Sequence, residues 1–239
     1  MRNIAGRDLR QIALFAEVSD DCCDALLDTA RLQCSPPLTV LFDEGERPTF
    51  LHILVEGEVE LFAQFNEHES TISMLRLNGP LNLAAAIDDV PCLTSGRTRQ
   101  QSRVLTLSAE AVRNVFDRDR IFARSVAREL SRELCKLMID HKNQKLLTCL
   151  ERLANWLLHA DAQSGGSGQF RLPFDKRLLA SQLGMTPENL SRGLKYLSGH
   201  GACISGRNVT VADPMALSAI AHATSPLQSR PRTRPTVAG

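Results

Sequence analysis

The segment from residue 174 to residue 197 constrains the fold of this chain most, because two short helical patterns meet in it at a single glycine. Ala180 lies four residues before Gly184. Two helices joined by a tight turn need a small residue where they touch, and the turn needs a residue that tolerates positive φ. Ala180 and Gly184 meet these two needs, so the segment predicts a helix-turn-helix.

The second helix of this motif begins with two residues typical of a helix N-terminus. Thr186 offers a side-chain oxygen as N-cap, and Pro187 suits the first helical position, where no backbone donor is missed. Three leucines repeat on one face of this helix, at Leu190, Leu194 and Leu197. Four polar residues repeat on another face, at Glu188, Ser191, Arg192 and Lys195. The pattern predicts an amphipathic helix.

The polar face of this helix carries the side chains that reading a DNA major groove requires. Arg192 can donate two hydrogen bonds to guanine O6 and N7, and Glu188 can accept one from cytosine N4. Ser191 can serve a neighbouring base or phosphate, and Lys195 can neutralise phosphate. An ordinary helix with a solvated charged face would show the same charge spacing. The charges together with the small residue, the glycine and the cap favour DNA recognition.

Residues 200–211 read as two short strands around a Gly-Arg turn, which is the pattern of a β-wing. Arg207 at its tip is a candidate phosphate contact, although a lone exposed arginine is more often only solvated. The residues predicted to contact DNA are Thr186, Glu188, Ser191, Arg192, Lys195 and Arg207.

The region from Pro36 to about Leu107 has the short period of β-strands. Apolar runs recur at roughly ten-residue spacing and are broken by turn signals at residues 43–46 and 56–57. After the second break, Val59, Leu61 and Ala63 alternate with Glu58, Glu60 and Phe62. This predicts a compact β-sandwich or β-roll. A small helical segment, residues 8–33 with Ser19 as a candidate cap, precedes it.

A long helical pattern follows, from Ser108 to about Lys145. Its apolar residues have the spacings of a coiled-coil seam, at Ala123, Ala127, Leu130, Leu134 and Leu137. The seam predicts a dimer contact, and the alternative is a helix that packs on its own sheet. The polar segment 141–145 is predicted to be a hinge, and residues 164–168 are predicted to be a flexible turn. Residues 225–239 are predicted to be a disordered tail, and its arginines could contact phosphate, at Arg230, Arg232 and Arg234.

Composition narrows the function classes. The 239 residues are 43% apolar, with a formal net charge of +1. Residues 147–239 hold 10 Lys/Arg against 5 Asp/Glu, which makes this part the candidate for a polyanion partner. No apolar run reaches the roughly 20 residues of a membrane helix, and no secretory signal is recognisable, so we expect a cytoplasmic protein without membrane contact. No catalytic motif is recognisable, so an enzyme is not expected.

Seven cysteines, an odd number, cannot all pair within one chain, so reduced thiols are expected. No C-x-x-C occurs, and no metal ligand is assigned. Cys135 on the seam and Cys203 in the wing permit redox control, although a buried thiol is usually a small apolar filler.

Nearly the whole chain, roughly residues 12–215, resembles the Crp/Fnr superfamily of bacterial transcription regulators. Residues 41–46 (LFDEGE) and 54–59 (LVEGEV) resemble the two glycine turns of the cyclic-nucleotide-binding-type β-roll, and residues 151–154 (ERLA) resemble the start of the winged-helix domain. The resemblance implies an α+β fold in four parts: a sensory β-roll domain with N-terminal helices (1–117), a dimerisation helix and hinge (118–145), a winged helix-turn-helix (146–224) and the tail (225–239).

The motif Glu188-x-x-Ser191-Arg192 resembles the recognition-helix signature of the Fnr, Dnr, NnrR and FixK branches. That resemblance implies a homodimer that binds a double-stranded TTGAT-N4-ATCAA palindrome, with RNA polymerase as a further partner if the protein is an activator. The Crp branch instead has an arginine where this chain has Pro187 and a glycine where it has Ser191.

Departures from the family bear on the effector. Residues 79–83 (GPLNL) lack the glutamate of the cyclic AMP phosphate cassette, and its Arg-Ser positions fall near Cys92 and Leu93, so cyclic AMP is disfavoured. Arg97 and Arg99 could bind another anion, although exposed loop arginines are the commoner explanation.

Redox and gas effectors stay open. The cysteines at 22, 23, 34 and 92 match iron–sulfur cluster spacing poorly, which disfavours a cluster. Resemblance to Dnr-like relatives, which respond to nitric oxide through haem, keeps haem as a candidate cofactor. Among His52, His68 and His141 no axial ligand is assigned, and His52 is expected to be a satisfied core histidine. We expect control by nitric oxide through haem, low oxygen or redox state. The alternative is a constitutive, effector-independent DNA-binding regulator.

Overall fold

The computed structural model describes residues 9–66, 68–75, 78–172 and 176–221. The chain forms two compact units, residues 1–141 and residues 142–239. The tail interpretation for residues 225–239, with its three arginines, lies outside the described residues.

The first unit contains two four-stranded antiparallel sheets, in the orders β1-β8-β3-β6 and β2-β7-β4-β5. The strands are β1 Arg31–Ser35, β2 Val40–Phe42, β3 Phe50–Glu56, β4 Val59–Phe65, β5 His68–Leu75, β6 Gly79–Pro80, β7 Ser95–Thr98 and β8 Ser102–Ser108. Helices α1 (Asp20–Leu27), α2 (Leu83–Asp88) and α3 (Ala109–Arg118) and a 3-10 helix (Ala13–Phe15) accompany them. Helix α4 (Arg120–Leu146) begins in the first unit, and its last turn belongs to the second. The predicted β-roll is confirmed.

Both predicted glycine turns are present in the roll. Gly45 has φ +83° and Gly57 has φ +109°, a region that favours glycine. A Cβ on Gly57 would also lie 2.7 Å from the Cα of Ser102, so β3 and β4 can approach β8 here only with glycine.

The N-terminal segment packs on the core of the roll. The rings of Phe15 and Phe122 stack with centroids 5.5 Å apart, and both side chains are fully buried. Ser19 precedes α1, but its hydroxyl donates to the Asp119 carboxylate at 2.9 Å instead of capping the helix. The helical interpretation of residues 31–33 is wrong, because this stretch pairs with β8 as strand β1.

Strand β4 departs from the predicted alternation. Glu60 and Phe62, which alternate with Val59, Leu61 and Ala63 in the sequence, are buried, with Glu60 only 1% exposed. Glu60 and Phe62 share one face of β4, where Arg97 pairs with the carboxylate and lies over the ring, so this face is covered as well. The irregularity in the pairing with β5 leaves Ile72 of β5 without a partner in the register.

The long helix α4 covers 27 residues. Its first half packs on the core of its own unit, with Phe122 and Val126 buried and Leu130 partly buried. Its second half exposes Leu134 by 60% and Leu137 by 55%. The packed-helix interpretation therefore holds for Phe122, Val126 and Leu130. Of the other predicted seam residues, Ala123 is partly buried, whereas Ala127, Leu134 and Leu137 are exposed on the described part of the chain. The hinge interpretation of residues 141–145 is wrong, since they are helical and α4 ends at Leu146.

The second unit contains α5 (Cys149–Gln163), α6 (Lys176–Gln182), α7 (Pro187–Leu197) and α8 (Pro214–Ala221). A three-stranded sheet in the order β10-β11-β9 completes it, with β9 Gln169–Arg171, β10 Ala202–Ser205 and β11 Asn208–Val211. The two-stranded wing is confirmed, and β9 is an additional strand. Among the described residues, no helix is both long and apolar enough to cross a bilayer.

Candidate nucleic-acid interface

The predicted helix-turn-helix consists of α6, the turn at residues 183–186 and α7. Ala180 is 1% exposed, and Gly184 has φ +60°. The backbone N–H of Met185 donates to the carbonyl of Ala180 at 3.0 Å, which closes the turn. Both residues therefore have the roles that the sequence predicted.

Helix α7 begins as predicted. The Thr186 hydroxyl accepts a hydrogen bond from the backbone N–H of Asn189 at 3.2 Å, and Pro187 holds the first helical position. The cap fixes the start of α7 and thereby the direction in which its first turn presents side chains. The predicted DNA contact of Thr186 has to share its hydroxyl with this cap.

The two faces of α7 separate cleanly. The buried face is Leu190, Leu194 and Leu197. The exposed face contains Glu188, Ser191, Arg192 and Lys195. Burial of three leucines anchors the helix on its own unit, so that the polar face points away from the core.

Glu188 is ionised at neutral pH. A hydrogen bond from its own backbone N–H, assisted by the Thr186 side chain and the nearby Arg192 charge, lowers the pKa of its carboxyl. A carboxylate only accepts hydrogen bonds, which is the property needed to pair with the amino group of cytosine.

A groove beside the polar face was not predicted. It has a volume of about 430 Å³ and is lined by Cys149, Leu150, Asn189, Arg192, Gly193 and Tyr196. A Cβ on Gly193 would lie 2.9 Å from Leu153 Cδ2, so α7 crosses α5 closely at this glycine. Asn189 and Tyr196, both exposed, flank Arg192 at helical spacing. The sequence carried a signal for Asn189 and Tyr196, because residues three before and four after Arg192 lie on the same face of a helix.

The wing has the expected hairpin. Gly206 has φ +61° at its turn, and the next residue, Arg207, is exposed. The carbonyl of Arg207 accepts from the backbone N–H of Leu172 at 2.6 Å, which ties the tip of the wing to the end of β9. The additional strand therefore supports the residue predicted to contact phosphate.

Arg97 and Arg99 were expected to be exposed loop residues, and neither is exposed: Arg97 lies on β7, and Arg99, in the bend after β7, has a side chain that is 21% exposed. Arg97 lies on β7, opposite Glu60 of β4, and its side chain is 19% exposed. Its Nε donates to Glu60 at 2.8 Å and its Nη1 to Glu69 at 2.9 Å, while its guanidinium lies 4.2 Å above the ring of Phe62. Arg99 lies 3.5 Å from the same Glu60 carboxylate. The carboxylates of the roll thus engage both arginines.

His52 is buried on β3, but it is not a satisfied core histidine. Its Nδ1 has no hydrogen-bond partner among the described residues, and its ring lies 5.3 Å from that of Phe42. Burial lowers the pKa of His52 to about 4, and hydrogen bonding with the Asn82 side chain and the Phe50 backbone carbonyl only weakly opposes this shift. The imidazole is therefore neutral at physiological pH.

All seven cysteines are free. Cys135 and Cys203 are exposed, so the filler interpretation is wrong for both. Within the described part of the chain, no group of three or more His, Cys, Asp or Glu side chains could hold a metal ion.

Two family models match this chain. The cyclic nucleotide-binding domain matches residues 34–119, and the Crp-like helix-turn-helix domain matches residues 151–220. The chain has the fold of a Crp/Fnr-type, DNA-binding transcription regulator. A comparison with curated proteins finds no significant match.

Solved structures share this Crp/Fnr-type fold. FixK2 from Bradyrhizobium japonicum matches with a TM-score of 0.71 at 18% identity, over 82% of this chain and 99% of that one. A transcriptional regulator assigned to the Crp/Fnr family from Eubacterium rectale matches with a TM-score of 0.71 at 15% identity, over 88% and 98%. The c-di-GMP responsive regulator CLP of Xanthomonas campestris matches with a TM-score of 0.66 at 18% identity, over 82% and 100%.

Proposed function

We propose that this protein is a homodimeric, sequence-specific DNA-binding transcription regulator that binds an Fnr-like TTGAT-N4-ATCAA palindrome. The observation that carries the proposal is the exposed polar face of α7. Glu188 and Arg192 stand one helical turn apart on it, anchored by leucines on the opposite face. This spacing lets the two side chains reach neighbouring base pairs in one major groove.

The homodimer is supported by the second half of α4. Leu134, Leu137 and Met138 are all more than half exposed there. Three large apolar side chains within five residues of one helix favour association with an equivalent helix, because water is then removed from both. Two subunits present two copies of α7, as a palindromic site requires.

We further propose an effector other than cyclic AMP. A buried phosphate needs a cation with hydrogen-bond donors that are free to bind it. The donors of Arg97 already bind Glu60 and Glu69, so Arg97 is a poor phosphate ligand. Nitric oxide through haem, low oxygen or redox state remain the candidates. The exposed thiols Cys135 and Cys203 support the redox candidate. The same engaged arginine favours the alternative, a constitutive DNA-binding regulator without an effector.

A titration of labelled duplex DNA with the full-length protein tests these proposals. We expect tighter binding to the palindrome than to a duplex with both half-sites scrambled, by a factor of about 10³ or more. Equal affinities for the two duplexes would contradict sequence-specific recognition.

The same titration is repeated with cyclic AMP, with nitric oxide and haem, and with reductant. A change in operator affinity on one of the last two additions supports a regulated protein. An affinity that none of them alters supports the constitutive alternative. An absorption spectrum and an iron analysis of the purified protein test the haem directly.

A further inference from the structure

Arg152, in the first turn of α5, joins backbone carbonyls from two separate parts of the second unit. Its Nη1 donates to the carbonyl of Leu147 at 2.7 Å. Its Nε donates to the carbonyl of Leu183 at 2.9 Å, and its Nη2 to that of Gly184 at 3.2 Å. Leu147 is the first residue after α4, whereas Leu183 and Gly184 form the turn that leads to α7. One side chain therefore connects the end of the long helix to the start of the recognition helix.

The chemistry of this contact is specific to arginine. Carbonyls at the ends of helices lack intrahelical partners and lie at the negative end of the helix dipole. A guanidinium is planar and presents its donors in fixed directions, so it can hold several such carbonyls at once. An ammonium group is a compact charge without this directional fork.

The last turn of α4 also approaches the turn of the helix-turn-helix directly. A Cβ placed on Gly184 would lie 3.8 Å from Nε2 of Gln144, a residue of α4. The end of α4 and the turn before α7 therefore lie close together directly as well as through Arg152.

We infer that Arg152 is a positioning residue that fixes the orientation of α7 on the C-terminal end of α4. The inference rests on the proposed function. Because α4 carries the proposed dimer contact, Arg152 would set the separation and angle between the two recognition helices. One added base pair between half-sites separates them by about 3.4 Å and rotates them by about 35°, so a rigid dimer discriminates against the wrong spacer.

The test compares the variants Arg152→Gln and Arg152→Lys with the unaltered full-length chain. Affinity is measured for TTGAT and ATCAA half-sites separated by three, four or five base pairs. We expect the unaltered protein to prefer one spacer, and both variants to lose that preference by a factor of about ten, a typical coupling between sites. The lysine variant retains the charge, so a shared loss assigns the effect to the guanidinium fork.

Arg171→Gln is the matched control. Arg171 is an exposed residue on β9, and its replacement removes one charge from the same unit while leaving the carbonyl contacts of Arg152 intact. We expect this variant to retain the spacer preference of the unaltered protein, with any loss of affinity equal for the three duplexes.

The outcomes separate the inference from the function. If Arg152 only stabilised the fold, the variants would have a lower unfolding midpoint and would bind all three duplexes more weakly by the same factor. An unchanged spacer preference in both variants would overturn the inference and leave the proposed function standing. Binding of the unaltered protein to all three duplexes no tighter than to unrelated DNA contradicts the proposed function and the inference with it.

Discussion

Individual charged side chains have opposite environments in the two units. On α7, Glu188 and Arg192 are exposed and face away from the core. In the roll, Glu60 and Arg97 pair across neighbouring strands, and Glu60 is almost fully buried. An exposed charge keeps its hydrogen-bonding capacity for a partner, whereas a buried charge has to be satisfied inside the protein. The charges of α7 are therefore free to bind a partner, as proposed for DNA, whereas Glu60 and Arg97 of the roll satisfy each other.

Replacing Arg192 tests recognition at a single base pair. We expect Arg192→Ala to cost about 1–3 kcal/mol of operator binding and to relax the preference at one position of each half-site, because its two donors to guanine are lost. Lys195→Ala is the matched control, since the loss of a phosphate contact weakens all sequences about equally. The measurement is a titration against operators with every single-base substitution; full discrimination by Arg192→Ala would exclude base reading.

The buried imidazole of His52 makes stability depend on pH. Its pKa is lowered from 6.5 to about 4 by burial, so below pH 6.5 the unfolded chain takes up a proton that the folded roll excludes. The free energy of unfolding therefore falls as the pH decreases through this window, by about 3 kcal/mol between pH 7 and pH 4.

Urea unfolding of the unaltered protein and of His52→Gln at both pH values measures this contribution. The drop should be about 3 kcal/mol smaller in the variant, which has no titrating group at this position. An equal drop in both proteins would show that other groups carry the acid sensitivity.

At the level of elements, local signals predicted the helix-turn-helix better than the strands. Thr186, Pro187 and Gly184 act within a few residues of their own position, and the structure places each in its predicted role. Strands β1 and β9 were missed because their pairing partners, β8 and β11, lie far away in sequence. Periodicity records which residues suit a buried face, but it does not record which strand comes to lie alongside.

The turn before α7 offers a test of local conformation. Gly184 has φ +60°, and a Cβ there would meet nothing closer than 3.8 Å, so its replacement costs only backbone strain. We expect Gly184→Ala to lower the free energy of unfolding by about 1–2 kcal/mol, and Gly184→Asn to lower it less, because asparagine tolerates this conformation better. Urea unfolding compares the two; equal losses would assign the cost to something other than φ.

For the whole molecule, the proposed dimer depends on the exposed second half of α4. Leu134 and Leu137 have no cover within the described chain, whereas Phe122 and Val126 on the same helix are fully packed. On one helix, Phe122 and Val126 thus contribute to the core of one subunit, whereas Leu134 and Leu137 are available for the proposed association with another.

Charging this second half should separate the subunits. We expect the double change Leu134→Asp and Leu137→Asp to halve the mass measured by sedimentation and to weaken operator binding at least tenfold, because two carboxylates would be buried unpaired in the interface. Ile121→Asp is the control, since Ile121 is an exposed apolar residue of α4 outside the seam. A dimer of unchanged stability would place the interface elsewhere.

The sequence by itself determined the order of the domains, the glycine turns of the roll, and the helix-turn-helix with its cap, its buried leucines and its exposed polar face. These features depend on neighbours a few residues apart, whose propensities and spacing are visible in the chain. Only the tertiary structure decided that Glu60 and Arg97 pair, that His52 is buried with an unpartnered nitrogen, and that Arg152 holds the end of α4 and the turn before α7. Each of these depends on groups that are distant in sequence and meet only when the core is assembled.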